Sequence, residues 1–361
     1  MILRIPRKKL SVLSAQSDVQ LIHAVDDACS QLEELSTRGD AQRCLKVIDQ
    51  IAVMVPTFQV STWSLNWAAD HGCMFLCNAL LDRGADILGV DDDGRTALHC
   101  AAESGHSEVC AELVARGAAL NCHDLDGFTE LHAAAEGGHG EVCKMLVKAG
   151  ADIQSVTREG LNALDTAIVY GNLSVFSALL SCCSSIRARG RVVQSASLHL
   201  AADHGHVHMC AAIVDAGVNV DAKSNVGCTA LFDAACGGLG DLCGALLDLN
   251  AKINSKDKHG RTPLHGAALS GHDIVCSMLL DRGARIDARA AEGSTPLHLA
   301  VERKQAAVCV TLLARGADPK LVRNGHWTAR DVAVEIGADA IVGIFDSWGS
   351  NQAARAALAE L

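Results

Sequence analysis

Apolar and polar positions along this 361-residue chain recur in one register. The segments "TALHCAAESGH", "TELHAAAEGGH", "ASLHLAADHGH", "TALFDAACGGL", "TPLHGAALSGH" and "TPLHLAVERKQ" align on Leu98, Leu131, Leu198, Leu231, Leu264 and Leu297. Leu164 of "NALDTAIVYGN" fills the gap, so the step from each leucine to the next is 33 residues, except for one of 34 between Leu164 and Leu198. Stepping back by the same interval reaches Leu65 and Leu32, and stepping forward reaches Arg330. After each leucine come small residues such as Ala101-Ala102 and Ala267-Ala268, which permit close helix approach. A glycine follows seven residues after the leucine (Gly72, Gly105, Gly138, Gly171, Gly205, Gly238, Gly271), where a tight turn can use positive φ. A second stretch such as "EVCAELVARG" then shows helical i, i+3, i+4 apolar spacing and closes on Gly117 or its equivalents, with Asn250 in that role in one unit. The pattern predicts helix, turn, helix and a connecting loop, repeated.

The period, together with "GRTPLHGAALSGHDIVCSMLLDRGARI" at 260–286, resembles the ankyrin repeat family. The resemblance covers roughly residues 60–345 and extends less clearly back to about 30. It implies an all-α solenoid of about nine to ten stacked helix-turn-helix units, with hairpin loops projecting as fingers and degenerate units at both ends. The expected division is a leader and capping helix over 1–30, the solenoid over 31–345 and a short cap over 346–361. Within it, "SDVQLIHAVDDACSQLEEL" reads as an amphipathic helix capped by Ser17 or Asp18. The resemblance also implies binding of another protein, since a single helix pair cannot bury its own apolar face and stacked units expose an extended surface.

Composition narrows the picture. Apolar residues make up 49% of the chain but aromatics only 3%, so the core must be built from Ala, Leu, Val and Cys. The net charge of −11 argues against a phosphate-tracking nucleic-acid binder. No apolar run approaches the length of a membrane span. The opening "MILRIPRKKLSVLSA" has no continuous apolar core, so a secretory signal is not expected. A reducing cytoplasm, or the nucleus, is the expected location, with Arg7, Lys8 and Lys9 read as a solvated leader. A monomer is expected.

Sixteen cysteines and sixteen histidines invite metal or redox chemistry. Eight of the cysteines (Cys44, Cys77, Cys110, Cys143, Cys210, Cys243, Cys276, Cys309) fall twelve residues after the repeat leucine, with Phe176 and Val342 replacing them elsewhere. Stacked helices lie about 8–10 Å apart, beyond the roughly 7 Å Cα limit of a disulfide, so the column is read as small buried hydrophobes. His99, His132, His199, His265 and His298 follow the leucine, where the family resemblance implies hydrogen bonds to neighbouring backbone. His106, His139, His206 and His272 follow the turn glycine. One cluster, "DHGHVHMC" with His204, His206 and His208, carries zinc-type ligands. Gly205 interrupts it, however, and no second ligand pair accompanies it, so no metal and no cofactor are expected. "DDDG" at 91–94 lacks the later glutamate of a calcium loop and reads as a charged fingertip. No nucleophile, phosphate-loop or kinase signature is present, so no enzyme is expected.

The resemblance places variable, partner-contacting positions at the fingertips and at the end of the first helix. Counted from the repeat leucine, these lie six, five and three residues before it and five and six after. Around Leu98 they are Asp92, Asp93, Arg95, Glu103 and Ser104, all polar. Over the next three units Leu125, Phe128, Leu161, Val169, Tyr170, Val192 and Val193 enter these positions beside Asp126, Glu136, Gly137, Arg158, Glu159 and Ser195, followed by Asp203 and His204. Contiguous exposed apolar surface marks a binding site, so these residues form the expected protein-binding surface. The competing readings are that they fold back on neighbouring units, or that the unit at 157–186 has decayed: Asn162 stands for threonine, Asp165 for histidine and Cys183 for the closing glycine. The loop "RARGRVVQSAS" carries the extra residue and suggests a soft seam near 182–196, cut first by protease. Two further readings are a substrate-recruiting adaptor for a ubiquitin ligase and a metal-dependent regulator using His204, His206 and His208.

Overall fold

The computed structural model describes residues 40–54, 60–182 and 195–359, with a few isolated positions between 31 and 38. The chain divides into two compact units, Met1–Ala188 and Arg189–Leu361. The leader, its capping helix, Cys183 and the proposed seam lie outside the described residues, apart from Cys182 and Ser195–Ala196 at the seam's edges.

In the first unit a single outer helix, α1 (Ala41–Met54), precedes four inner–outer arrangements: α2 (Val60–Asp70) with α3 (Met74–Asp82), α4 (Ala97–Glu103) with α5 (Ser107–Ala115), α6 (Glu130–Glu136) with α7 (Gly140–Ala149), and α8 (Ala163–Val169) with α9 (Leu173–Cys182). Each inner helix stacks on the next inner helix and each outer helix on the next outer one. The second unit repeats the scheme with α10 (Ser195–Asp203) and α11 (Val207–Asp215), α12 (Ala230–Cys236) and α13 (Gly240–Asp248), α14 (Pro263–Ser270) and α15 (Asp273–Asp281), α16 (Pro296–Glu302) and α17 (Ala306–Ala314), and finally α18 (Ala329–Glu335) and α19 (Asp339–Ala359). The only named strands among the described residues are β1 (Val322–Arg323) and β2 (Trp327–Thr328), an antiparallel finger. Helix α19 runs without a break through residue 345, so the expected C-terminal tail continues the last outer helix. No helix among the described residues is long and apolar enough to cross a membrane.

The inner helices, seven to nine residues long apart from the eleven of α2, are too short to persist alone. Their ends are held by side chains. Thr129 caps α6 through a box in which the Thr129 N–H donates to His132 Nδ1 at 3.2 Å. The same box recurs at Thr96/His99, Thr262/His265 and Thr295/His298. The unit flagged as decayed keeps the device with other atoms: Asn162 Oδ1 accepts from the Leu164 and Asp165 N–H groups, and Asp165 accepts from the Asn162 N–H. At the last unit, where Arg330 and Asp331 replace Leu-His, Asp331 completes the box with Thr328.

The alanines behind each repeat leucine, Ala101-Ala102, Ala134-Ala135 and Ala267-Ala268 among them, are fully buried where inner helices touch. The cysteine column is equally buried, each of its members 0–1% exposed, and all are free thiols. Burial pushes the thiols of Cys77, Cys110, Cys143, Cys210, Cys243, Cys276 and Cys309 up to about 12, which keeps them protonated and inert. Phe176 substitutes for the cysteine in α9 and is also buried. The turn glycines adopt the left-handed conformation their position demands, and Asn250 follows at φ 66°.

Candidate protein-binding surface

Three fingers are each folded by one aspartate side chain. Asp91 Oδ1 accepts the Asp93 and Arg95 N–H groups at 3.0 and 2.9 Å, folding "DDDG" into a closed tip whose Gly94 sits at φ 79°. Asp124 does the same for the Asp126 and Phe128 N–H groups at 2.9 and 2.8 Å. Asp257 repeats it for His259 and Arg261, both at 2.8 Å. Successive tips are then stitched together: the Leu125 N–H donates to Asp93 O at 2.9 Å and the Arg158 N–H to Asp126 O at 3.2 Å. The Asp91 carboxylate of "DDDG" is therefore committed to turn geometry.

A second tie comes from the buried histidines. His99 Nε2 reaches Phe128 O at 3.2 Å, and His132 Nε2 reaches Leu161 O at 3.0 Å. His265 and His298 make the same bonds to Ser294 O and Trp327 O, both at 3.1 Å. With Nδ1 accepting from a threonine N–H, the ring must be neutral and protonated on Nε2. Burial favours that form, lowering His132 and His298 below the usual range and His265 to about 4. The repeat histidine thus fixes the backbone of the display position three residues before the next repeat leucine. An aspartate at 165 carries no N–H to offer in that way.

On this frame the first unit changes character along its length. Around Leu98 the surface neutralises itself: Arg95 pairs with Asp91 at 3.2 Å, Glu103 at 3.1 Å and Asp93 at 3.7 Å. One and two units later the arginine position holds Phe128 and Leu161, both half-buried, and Phe128 leans on His132 with ring centroids 5.7 Å apart. Leu125 is 54% exposed at its fingertip and Tyr170 is 48% exposed at the end of α8, beside half-buried Val169. The Tyr170 hydroxyl bonds to the Glu136 carboxylate; that bond, burial and nearby Glu103 and Glu159 push its pKa up to about 12.

Five of the expected contact residues, Leu125, Phe128, Leu161, Val169 and Tyr170, therefore lie on consecutive repeats of the first unit. Asp203 and His204 are exposed at the end of α10 in the second unit, and Val192 and Val193 lie outside the described residues. Residues the five-position reading passed over join the set: Val90 and Val156, each 50% exposed, sit eight residues before their repeat leucines. Extending the comparison of units two positions further into the finger would have found them.

The turn histidines are structural. His106 Nε2 reaches Asp70 O at 2.8 Å and His272 Nε2 reaches Cys236 O at 3.0 Å, each ring packed on the preceding unit's turn glycine. His204 and His206 stack with centroids 5.9 Å apart. Among the described residues, no group of three or more His, Cys, Asp or Glu side chains is placed to hold a metal ion. One histidine departs from the scheme. Ala196 stands where threonine would cap α10, and His199 Nδ1 instead bonds Asp233 Oδ2 at 2.6 Å. Burial opposes the charged ring, but that bond and the Asp233 charge outweigh it and raise the His199 pKa.

The family profile described as "Ankyrin repeats (3 copies)" matches residues 65–157, 112–189, 167–257 and 241–323. The chain belongs to the ankyrin-repeat family. Repeats of this family generally mediate protein–protein interactions. A search of curated proteins returned no match to this chain.

Proposed function

We propose that this ankyrin-repeat chain is a non-enzymatic scaffold or adaptor whose first unit captures another protein on its fingertips and inner helices. The carrying observation is the run of apolar side chains over consecutive repeats, from the fingertip Leu125 through Phe128, Leu161 and Val169 to Tyr170, on positions that are polar around Leu98, with Val156 beside them. Exposed apolar surface with an aromatic anchor is the usual chemistry of a protein interface. The capped helices, stitched fingertips and histidine ties hold these side chains on fixed backbone, so little order need be gained on binding. Asp203 and His204, exposed on the second unit, are proposed as additional contacts. Free, buried thiols suit a reducing compartment, the cytoplasm or nucleus, and we expect a monomer.

Site-specific photocrosslinking tests this reading. A photoreactive residue at Leu125 should give a discrete adduct with the partner, whereas one at Phe75, equally apolar and 73% exposed but on outer helix α3, should not. Adducts at Phe75 alone would move the interface to the outer helices and overturn the proposal.

A further inference from the structure

The finger position eight residues before the repeat leucine changes chemistry between the units. In the first unit it holds Val90, His123 and Val156; in the second it holds exposed Lys223, Lys256 and Arg289 before returning to half-buried Val322 in the last repeat. The three cations form a ladder. Lys223 Nζ donates to Lys256 O at 2.8 Å, Lys256 Nζ to Arg289 O at 2.9 Å, and Arg289 Nη1 to Val322 O at 3.4 Å. Lys258, two residues along the same finger as Lys256, donates to Asn225 O. Each side chain is thus laid across to the adjoining finger while keeping donors in reserve, since an ammonium has three and a guanidinium five.

Among the described residues, no carboxylate lies within the 4.0 Å of an ion pair from any of these four side chains. Two acidic groups flank the row, and one of them, Asp287, feels the Arg289 charge. Asp257 is buried, holding the fingertip N–H groups and pairing with Arg261 at 2.8 Å, and Asp287 accepts the Asp318 N–H at 3.2 Å. Lys256, Arg285 and Arg289 also line a cleft of about 490 Å³ between two fingers, with Asn254 and Asp287. In a chain of net charge −11, an ordered row of cations with no carboxylate in ion-pair contact is a local excess of positive charge, tempered beside the cleft by Asp287.

The spacing selects among peptides. Stacked helical repeats advance about 8–10 Å. A polyproline-type peptide has three residues per turn and rises about 3.1 Å per residue, so it presents one face about every 9.3 Å. A β-extended peptide presents one face about every 6.7 Å and falls out of step. Phosphates along one strand of a duplex recur about every 3.4 Å, so every third also falls near the repeat spacing, and nucleic acid is separated from peptide by competition rather than by register. We propose that the Lys223–Lys256–Arg289 ladder, with Lys258 beside it, docks an extended acidic segment of a partner protein whose carboxylates recur at every third residue. This site is separate from the apolar surface of the first unit and does not depend on it.

Fluorescence anisotropy on the full chain tests it, using a labelled peptide with glutamate at every third position and a control of identical composition with glutamate at every second position within a block. The wild type should bind the first peptide more tightly, with affinity falling as salt rises. A Lys256→Gln/Arg289→Gln variant should bind about tenfold or more weakly, given the loss of two charge-assisted contacts. Its thermal midpoint should match the wild type, because both side chains are exposed; single Lys223→Gln should give a smaller loss in the same direction. The Phe128→Ala/Tyr170→Ala variant should bind the peptide normally, so failure of the first-unit reading would leave this result intact. Equal affinity for the two peptides, no loss in the double variant, or no binding by the wild type would each overturn the proposal. So would a single-stranded DNA oligonucleotide that binds more tightly and displaces the peptide, which would assign the ladder to nucleic acid.

Discussion

His265 offers the sharpest test of how the repeat frame is held. Its ring is fully buried, accepts the Thr262 N–H at Nδ1 (3.1 Å) and donates from Nε2 to Ser294 O (3.1 Å), so it caps α14 and fixes the next finger at once. Protonation removes the Nδ1 acceptor and places a cation in the core, with Lys256 adding repulsion; burial is the largest cause, and together they lower the pKa to about 4 from 6.5. A folded pKa below the unfolded one means that the unfolded chain binds the proton more readily. The contribution to stability is therefore fully present above about pH 6.5 and lost as pH falls toward about 4. At pH 5 the two values give a loss of about 2 kcal/mol, rising to about 3 kcal/mol at lower pH. The assay is urea unfolding at pH 7 and pH 5, comparing wild type with His265→Gln. The variant is less stable at pH 7, but its pH-dependent loss should be smaller than the wild type's by about 2 kcal/mol. If both proteins lose the same amount, His265 is not a neutral, doubly bonded core residue and the reasoning fails.

Three further outcomes follow from other parts of the frame. His199, whose pKa is raised, should behave oppositely: the stability it adds is present below about pH 6.5 and lost as pH rises through its folded value, so the stability gap to His199→Gln should narrow between pH 6 and 8. The column thiols, all raised by burial and Cys110 and Cys276 pushed up to about 12, should resist iodoacetamide in the native protein and react only on denaturation; rapid native labelling of Cys110 or Cys276 would contradict their burial. Gly238→Ala should cost about 1–3 kcal/mol in unfolding experiments, because φ is 73° and the new Cβ would lie 2.7 Å from the His272 ring; an unchanged midpoint would show that the turn can relax.

The architecture was legible in the sequence because every repeat must solve the same packing problem. A buried alanine pair, a left-handed glycine and a capping threonine leave the same letters at the same interval. The apolar run from Leu125 to Tyr170 was also legible, since it departs from that rule at countable positions. Three features were not. Asn162 and Asp165 looked like decay, yet they rebuild the cap with different atoms, and hydrogen-bond equivalence is invisible to a letter pattern. The His199–Asp233 pair depends on two absences a unit apart, threonine at 196 and histidine at 232, that only the fold brings together. Val90, Val156 and the cation ladder lie two positions deeper in the finger than the positions compared, and their meaning depends on which side chains cross to the next finger.

The central claim is that residues which repeat build the frame while residues which refuse to repeat bind the partner. It is tested most directly by quantitative co-purification from native extract with wild type, Phe128→Ala/Tyr170→Ala and Phe75→Ala, each first shown to share the wild-type thermal midpoint. The double variant should lose the wild-type partner by about thirtyfold or more, as expected for truncated aromatic anchors, while Phe75→Ala should retain it. An unchanged set of partners in the double variant would contradict the account.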